Sequence, residues 1–283
     1  MYTLRLIGPG RAGRSLCQAL AARGWAVVGM FGRTDDLTEA AAGVDVLVVA
    51  TPDDAVAEVA AAVRPDPSTV VLHLSGSLGL DALAPHPRRA ALHPLVPLPT
   101  PEIGAARLGA GVTFAVAGDP VARAMAEALG GRAVEVADAD RAAYHAAASI
   151  AANHVVALLG QVERVAASAG LDLEAFLGLT RAAVDDVERL GPRRALTGPA
   201  VRGDFATLAR HRDALAPEER PAYNAGVGLA LQLAGATSPE VPVPAAAEHD
   251  GARSAEELVP PELVEDVPEV RVPLGVAAVA GVG

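Results

Sequence analysis

Apolar positions fall into two patterns along the chain. Over the first 135 or so residues, short runs of Val, Leu, Ile and Ala recur at 4–7, 26–31, 44–50 (interrupted only by Asp45), 69–74, 90–92, 112–117 and 133–136. Helical spacings separate them. Runs this uniformly apolar predict strands buried on both faces, hence a doubly wound and largely parallel sheet with helices packed on it. Beyond this point the pattern changes. Residues 140–169 contain one glycine, Gly160, and no proline, and their spacing predicts a helix of about 30 residues, roughly 45 Å long. Further helices are predicted at 173–190, 204–215 and 217–234, with Asp204 as an N-cap and Pro217 in a first turn. The expected class is therefore α/β: a sheet domain at 1–137, followed by an all-helical domain at 138–236.

Residues 237–283 fit neither pattern. They are rich in proline and carry nine acidic and two basic residues, which predicts an extended or disordered appendage. That tail accounts for most of the net charge of −11, and the acidic balance argues against a nucleic-acid partner. The single cysteine, Cys17, allows no disulfide within the chain, so a reducing cytoplasm is the expected setting. No export leader is read at the N-terminus, and no uninterrupted apolar run reaches the roughly 18 residues of a membrane span. A long Ala-rich helix seldom buries every face within so small a domain, so a homodimer through the helical domain is expected.

The first strand runs directly into Gly8-Pro9-Gly10-Arg11-Ala12-Gly13, with a helix expected from about Arg14. Strand, GxGxxG and helix together form a dinucleotide-binding turn. The first glycine permits the tight turn, the second lets the backbone approach a pyrophosphate, and the third lets helix and sheet lie close. About 20 residues further on, where an acidic residue would grip a ribose hydroxyl, this chain has Gly32-Arg33-Thr34, and no carboxylate before Asp35. A guanidinium and a hydroxyl suit a 2′-phosphate, so the expected cofactor is NADP(H), held by the glycine turn, Arg33 and Thr34. Thr51, Pro52 and Ser75 follow strands and should line the same crevice, beyond the carboxyl ends of the sheet.

In the helical half, His145, Ser149 and Asn153 recur at i, i+4 and i+8, which predicts a polar stripe on one face. These are the candidate catalytic residues. His145 is the expected proton donor, because histidine is the side chain that titrates near neutral pH. A second cluster, Thr197-Gly198-Pro199 through Arg202-Gly203-Asp204 with His211 beyond, could bind an anionic substrate, and His93 is a third candidate. His73 reads as a core residue, and His86 as a loop residue. All 23 basic residues are arginine, and arginine does not serve as an ordinary general acid. No spacing suggests a metal site.

The fingerprint at Gly8 to Gly13, the His93-Pro94 pair, Tyr144-His145 through Asn153, and Leu196-Thr197-Gly198-Pro199 with Arg202-Gly203-Asp204 and His211 together resemble the Rossmann-like and DUF2520 domain-containing proteins. That family is placed among the 6-phosphogluconate dehydrogenase-like reductases, beside ketopantoate and pyrroline-5-carboxylate reductases. The resemblance covers about residues 3–235. It implies a Rossmann domain joined to a 6-phosphogluconate dehydrogenase-like helical domain. It also implies NADPH-dependent reduction of a small carboxylate-bearing carbonyl compound, with ketopantoate the favoured substrate. Arg202 would hold the carboxylate, with Thr197, His93 and His211 nearby, and Asn153 would hydrogen-bond the carbonyl oxygen. Many relatives place a catalytic lysine four residues before that asparagine; here the position is Ser149. Reduction of a cyclic imine is the alternative activity, and a non-catalytic NADP(H)-binding regulator would keep Arg33 and the glycines while using the helical domain for partners.

Overall fold

The computed structural model describes residues 1–235; the predicted tail at 237–283 lies outside the described residues. Seven strands form one sheet: β1 (Thr3–Ile7), β2 (Ala26–Phe31), β3 (Val46–Val49), β4 (Val70–His73), β5 (Arg89–Pro94), β6 (Thr113–Gly118) and β7 (Arg132–Glu135). Their spatial order is β2-β1-β3-β4-β5-β6-β7. Every pair is parallel except β5 with β6. The chain steps one way from β1 to β2 and the other way to β3. The topological switch therefore lies between β1 and β3, where sheets of this kind open a crevice at their carboxyl ends.

Alternate side chains of the strands enter two cores, as the period of two requires. Leu4, Leu6, Val46, Val48, Val70 and Leu72 meet Leu16 and Leu20 of α1 (Arg11–Ala21), Leu108 of α3 (Pro101–Leu108) and Met125 of α4 (Val121–Ala128). On the opposite face, Ile7, Leu47, Val49 and Val71 pack with Val56 and Ala60 of α2 (Val56–Ala62). Each fully buried aliphatic side chain of this size contributes about 1.5–3 kcal/mol, so the sheet half carries a core of its own. Cys17 belongs to it, and burial pushes its thiol up to about 11. His86, expected in a surface loop, is buried, with Nε2 2.9 Å from the Ala60 carbonyl oxygen.

The long helix forms, with one irregularity. It comprises α5 (Arg141–Ser149), a π-helical turn (Ile150–His154) and α6 (Val155–Ser168). After it come α7 (Glu174–Leu190), two short turns α8 (Pro192–Ala195) and α9 (Pro199–Arg202), then α10 (Phe205–Ala214) and α11 (Arg220–Ala234). Asp204 caps α10 as expected, its Oδ1 accepting from the Thr207 N–H at 3.0 Å. Pro217 opens a 3₁₀ turn, Pro217–Glu219, just before α11. Glu219 braces this half by accepting from Arg164 on α6 at 2.6 and 3.2 Å. Among the described residues beyond 140, the buried apolar side chains are Ala166, Ala200 and Leu231 alone. These helices have almost no core of their own.

His73 of β4 is fully buried, and neither ring nitrogen makes a hydrogen bond of good geometry. Burial, aided by the positive charge of Arg141, pushes its imidazole from 6.5 down to about 4; a poorly aligned approach of the Gly79 backbone opposes this only in part. The fold therefore favours the neutral ring. Below about pH 6.5 the unfolded chain takes up a proton that the folded chain refuses until about pH 4, so stability falls with pH across that window. The contribution of His73 is on the order of 3 kcal/mol. The difference in urea midpoint between the natural chain and His73→Leu is expected to grow as pH drops through this range, in favour of the variant. At about pH 8 the leucine should cost little, because no buried hydrogen bond is lost. Parallel pH profiles for the two proteins would refute the assignment.

Candidate active site

The glycine turn is built as its sequence requires, except that α1 begins at Arg11, three residues earlier than expected. The Arg11-Ala12-Gly13 segment is thus its first turn. Gly8 has φ +83°, and a Cβ there would lie 2.8 Å from the Ala50 carbonyl oxygen, across the β1–β3 switch. A Cβ at Gly13 would stand 2.8 Å from Gly8 O and Leu6 Cδ1, so only glycine lets α1 lie this close to β1. Gly10, by contrast, faces open space. The N-terminus of α1 has no side-chain cap and no acidic residue in its first turn. Arg11 and Arg14 stand there instead, with Arg14 Nε donating to Pro9 O at 2.6 Å. Two cations at the positive end of a helix dipole are unfavourable unless an anion joins them. Across the switch, the Thr51 hydroxyl is buried without a partner. An open backbone cradle, an uncapped helix end and an orphaned hydroxyl fit the pyrophosphate and neighbouring groups of a dinucleotide. Arg33 and Thr34 stand exposed beyond β2, while Asp35 is turned back, its Oδ2 accepting from the Gly32 N–H at 2.6 Å. Pro52 is exposed at the end of β3.

A second group of polar residues gathers beyond β3, β4 and β5, on the same edge of the sheet. The Asp53 carboxylate accepts from Ser75 Oγ at 2.7 Å and Ser77 Oγ at 2.6 Å. Ser75 Oγ in turn accepts from the N–H groups of Ser77 and Leu78. The Ser75 hydroxyl, expected to line the cofactor crevice, is therefore saturated and shapes the loop after β4. Its carbonyl accepts from Arg141 Nη1 at 3.3 Å. Arg141 is fully buried; it also bonds Asp138 through Nε at 3.3 Å and leaves Nη2 unpartnered. Asp138 accepts from the Leu80 N–H as well. Together these bonds seat the first turn of α5 on the loop after β4.

One turn along α5, Tyr144 and His145 meet His93 of β5. Tyr144 Oη lies 2.7 Å from His93 Nδ1, and the His93 ring stands edge-on to both the Tyr144 and His145 rings, with centroids 5.7 Å apart in each case. Gly76 forms the floor: a Cβ there would come within 2.7 Å of His145 Cδ2 and 3.0 Å of His93 Nε2. Burial, helped by the neighbouring His145 and Arg141, pushes His93 down to about 4. Burial also pushes the Tyr144 phenol up to about 12, against the pull of Arg141. At neutral pH the pair therefore consists of a neutral imidazole and a neutral phenol.

Several expected members are placed elsewhere. Arg141, Tyr144, His145, Ala148, Ser149 and Ala152 are buried or half-buried at helical spacing, but Asn153 is exposed. It does not share the face of His145 and Ser149, because the π-helical turn at Ile150–His154 is wider than an α turn and carries it outward. Thr197, Arg202 and His211 are exposed too. Helices α9 and α10 pack on α11, and His211 Nδ1 lies 3.1 Å from Tyr223 Oη, on an apolar groove. Within one chain these three do not join the His93 cluster. Conversely, Asp53, Gly76 and Arg141 join the candidate site although the sequence pattern does not point to them, and Tyr144, named only within the family motif, joins it through His93. The one available signal was Arg141, a lone cation in an Ala-rich helix.

Residues 110–228 match the family model described as "Domain of unknown function (DUF2520)". The chain carries a DUF2520 domain. The matched segment takes in β6, α4 and β7 as well as the helices, so the DUF2520 domain includes one edge of the sheet. No curated protein sequence matches the chain. Solved structures share its fold. A Bacteroides fragilis protein provisionally named an NADP oxidoreductase is 20% identical, with a TM-score of 0.69 over 82% of this chain and 98% of its own. A Thermotoga maritima protein is 24% identical, with a TM-score of 0.64 and the same coverage. Pyrroline carboxylate reductase of Plasmodium falciparum, solved with NADP bound, is 13% identical, with a TM-score of 0.54 over 82% of this chain and 98% of its own.

The floor position offers a direct check of this arrangement. Gly76→Ala is expected to displace both imidazoles, cost about 1–3 kcal/mol by overpacking, and shift the ring resonances of His93 and His145 in NMR spectra. Gly178→Ala, facing open space on α7, should leave those resonances in place. Histidine spectra unmoved by Gly76→Ala would contradict the packing described.

Proposed function

We propose that the protein is an NADP(H)-dependent oxidoreductase that reduces a small carboxylate-bearing carbonyl compound, ketopantoate being the favoured case. The carrying observation is one of position. A dinucleotide turn with an orphaned Thr51 hydroxyl, and a cluster of proton-bearing side chains from β5 and α5, lie at the same carboxyl edge of one sheet. Ligands of such sheets bind there. The glycine turn and the N-terminus of α1 would hold the pyrophosphate, and Arg33 with Thr34 would hold the 2′-phosphate. When bound, the reduced cofactor supplies a hydride to the substrate carbon. The protein's part is to hold the substrate close, exclude water and provide a proton at the substrate oxygen. His145, the expected proton donor, stands in the cluster; Asn153, expected to hydrogen-bond the carbonyl oxygen, does not. That pyrroline carboxylate reductase of Plasmodium falciparum holds NADP on a similar fold supports this class of cofactor and makes a cyclic imine the second substrate to try.

We further infer that a second copy of the chain covers the helices. Val156 on α6, Leu179 on α7 and Leu229 on α11 are 70%, 71% and 68% exposed, and large exposed apolar surface marks an interaction site. The helical run Asp138–Ser168 has the length and composition to cross a bilayer. Its first turns, however, are tied to the sheet through Arg141 and Tyr144, and α6 carries Arg164 paired with Glu219. Those ties favour a protein partner for its apolar surface. Light scattering on the eluting protein should give twice the chain mass; a monomer at micromolar concentration would refute the dimer.

Oxidation of NADPH should proceed with ketopantoate, other 2-keto acids or pyrroline-5-carboxylate as acceptor. Arg33→Ala should weaken NADPH at least about tenfold in fluorescence titrations, a loss of about 1.4 kcal/mol, while leaving NADH nearly unchanged. Tight NADPH binding without turnover of any acceptor would instead identify a binding regulator.

A further inference from the structure

We propose that Tyr144 gives the proton to the substrate's oxygen or nitrogen, with His93 as the positioning residue that orients the phenol and replaces its proton. This rests on the reductase reading above. The geometry is specific. The first turn of α5 is fixed by buried Arg141, and Tyr144 follows on the same face. Its hydroxyl lies 2.7 Å from His93 Nδ1, with the two rings nearly perpendicular. Gly76 packs beside Cε1 and Nε2 of the half-buried His93 ring, which keeps the imidazole turned toward the phenol. The groups facing the pair are Arg141 and His145 on α5, His73 on β4 and Asp53 beyond β3, with Asp138 behind them, bonded to Arg141.

A neutral imidazole carries one N–H. When Nδ1 bears it and donates to Tyr144 Oη, the phenolic hydrogen points away from the ring, toward any acceptor entering the crevice. The step then balances. The hydride from NADPH forms the new C–H bond at the substrate carbon, and the C=O (or C=N) π pair moves onto the heteroatom. That atom takes the phenolic proton. Oη takes the Nδ1 proton, and Nε2 takes one from solvent. One hydride and one proton are consumed per turnover; both side chains are again neutral, and the ring, now its Nε2–H tautomer, resets when Nε2 gives its proton to solvent while Oη passes its own to Nδ1 and takes one from solvent. An alkoxide is a stronger base than the Tyr144 phenolate, even with the phenol pushed up to about 12, so the transfer runs downhill. Neutral His93 is not itself an acid at neutral pH, and the proton most readily passed to substrate from this pair is the phenol's.

The test uses the full chain with NADPH and ketopantoate, pyruvate and pyrroline-5-carboxylate as probes. Tyr144→Phe should lower kcat about 100-fold or more, change KM less than about threefold, leave NADPH affinity intact and remove the pH dependence owed to the phenol. His93→Ala should fall toward the same rate, whereas His93→Gln, whose amide can still hold a hydroxyl, should recover part of it. Without cofactor, Tyr144→Phe should move the ¹⁵N resonances of His93, a change independent of turnover. An active natural chain whose rate and pH profile survive Tyr144→Phe overturns the assignment and leaves the reductase reading standing. So does loss of rate in His145→Ala alone. A natural chain that fails to bind NADPH, or binds it and reduces none of the probes, overturns both.

Discussion

The candidate site depends on one buried cation. Arg141 is the first residue of α5, and every polar contact that brings the helical half to the sheet edge lies within about one turn of it. Its guanidinium reaches the Ser75 carbonyl and the Asp138 carboxylate, while Ser75 is itself held by Asp53. The chain runs from the sheet edge through this arginine to Tyr144 and His145 without a flexible link. Removing one partner from a buried charged contact typically costs 3–5 kcal/mol. The large side of that cost is the charge left unpaired, so the arrangement is held by the penalty for breaking it more than by the strength of its 3.3 Å bonds. Position 141 thus fixes the angle at which the helix meets the strands, and with it the distance between Tyr144 and His93.

The same cation explains why so many histidines coexist here. His73, His93 and His145 sit around a buried guanidinium, and charging the buried ones would place like charges together in a poorly solvated region. His73 and His93 are both driven to the neutral form, with Asp53 and Asp138 pulling only partly the other way. Neutral imidazoles pack edge-on, as His93 does with two neighbours, and each keeps both a donor and an acceptor. A region rich in histidine but poor in charge is suited to passing protons. The described residues contain no cluster of ligands for a metal.

How much of this was legible in the sequence follows the range of the interactions. The strands were readable because buried parallel strands are locally apolar, and their ends differ by at most two residues. The glycine turn was readable because its constraints act between residues a few positions apart, or against the next strand. Its helix was expected too late because Arg11-Ala12 gave no capping signal. The catalytic side was harder. The i, i+4, i+8 rule placed His145 and Ser149 together but failed at Asn153, since nothing in Ile-Ala-Ala-Asn-His announces a π-helical turn. The pairing of Tyr144 with His93 spans 51 residues; each was visible alone, and only the seating of α5 joins them. Arg141 was overlooked because a lone arginine at a helix start reads as solvated until burial is known.

The division between local and distant constraints also divides the function. The dinucleotide end is specified within a strand, a turn and a helix, so it can remain constant while the rest of the chain changes. The substrate end is specified by how one helix lies on the sheet, and that helix is otherwise almost uncovered. Beyond Tyr144 and His145 it carries apolar side chains into solvent over most of its length, and the helices after it have little core to hold them in place. Whatever covers that surface must therefore share in setting the slope of α5 against β5. Because a hydrogen bond weakens steeply once donor and acceptor move apart or out of line, a small change in that slope would separate Tyr144 from His93 before it disturbed the cofactor turn. On the proposed function, chemistry at the crevice would in this way be coupled to the packing of the helical half, while binding of the nucleotide would not.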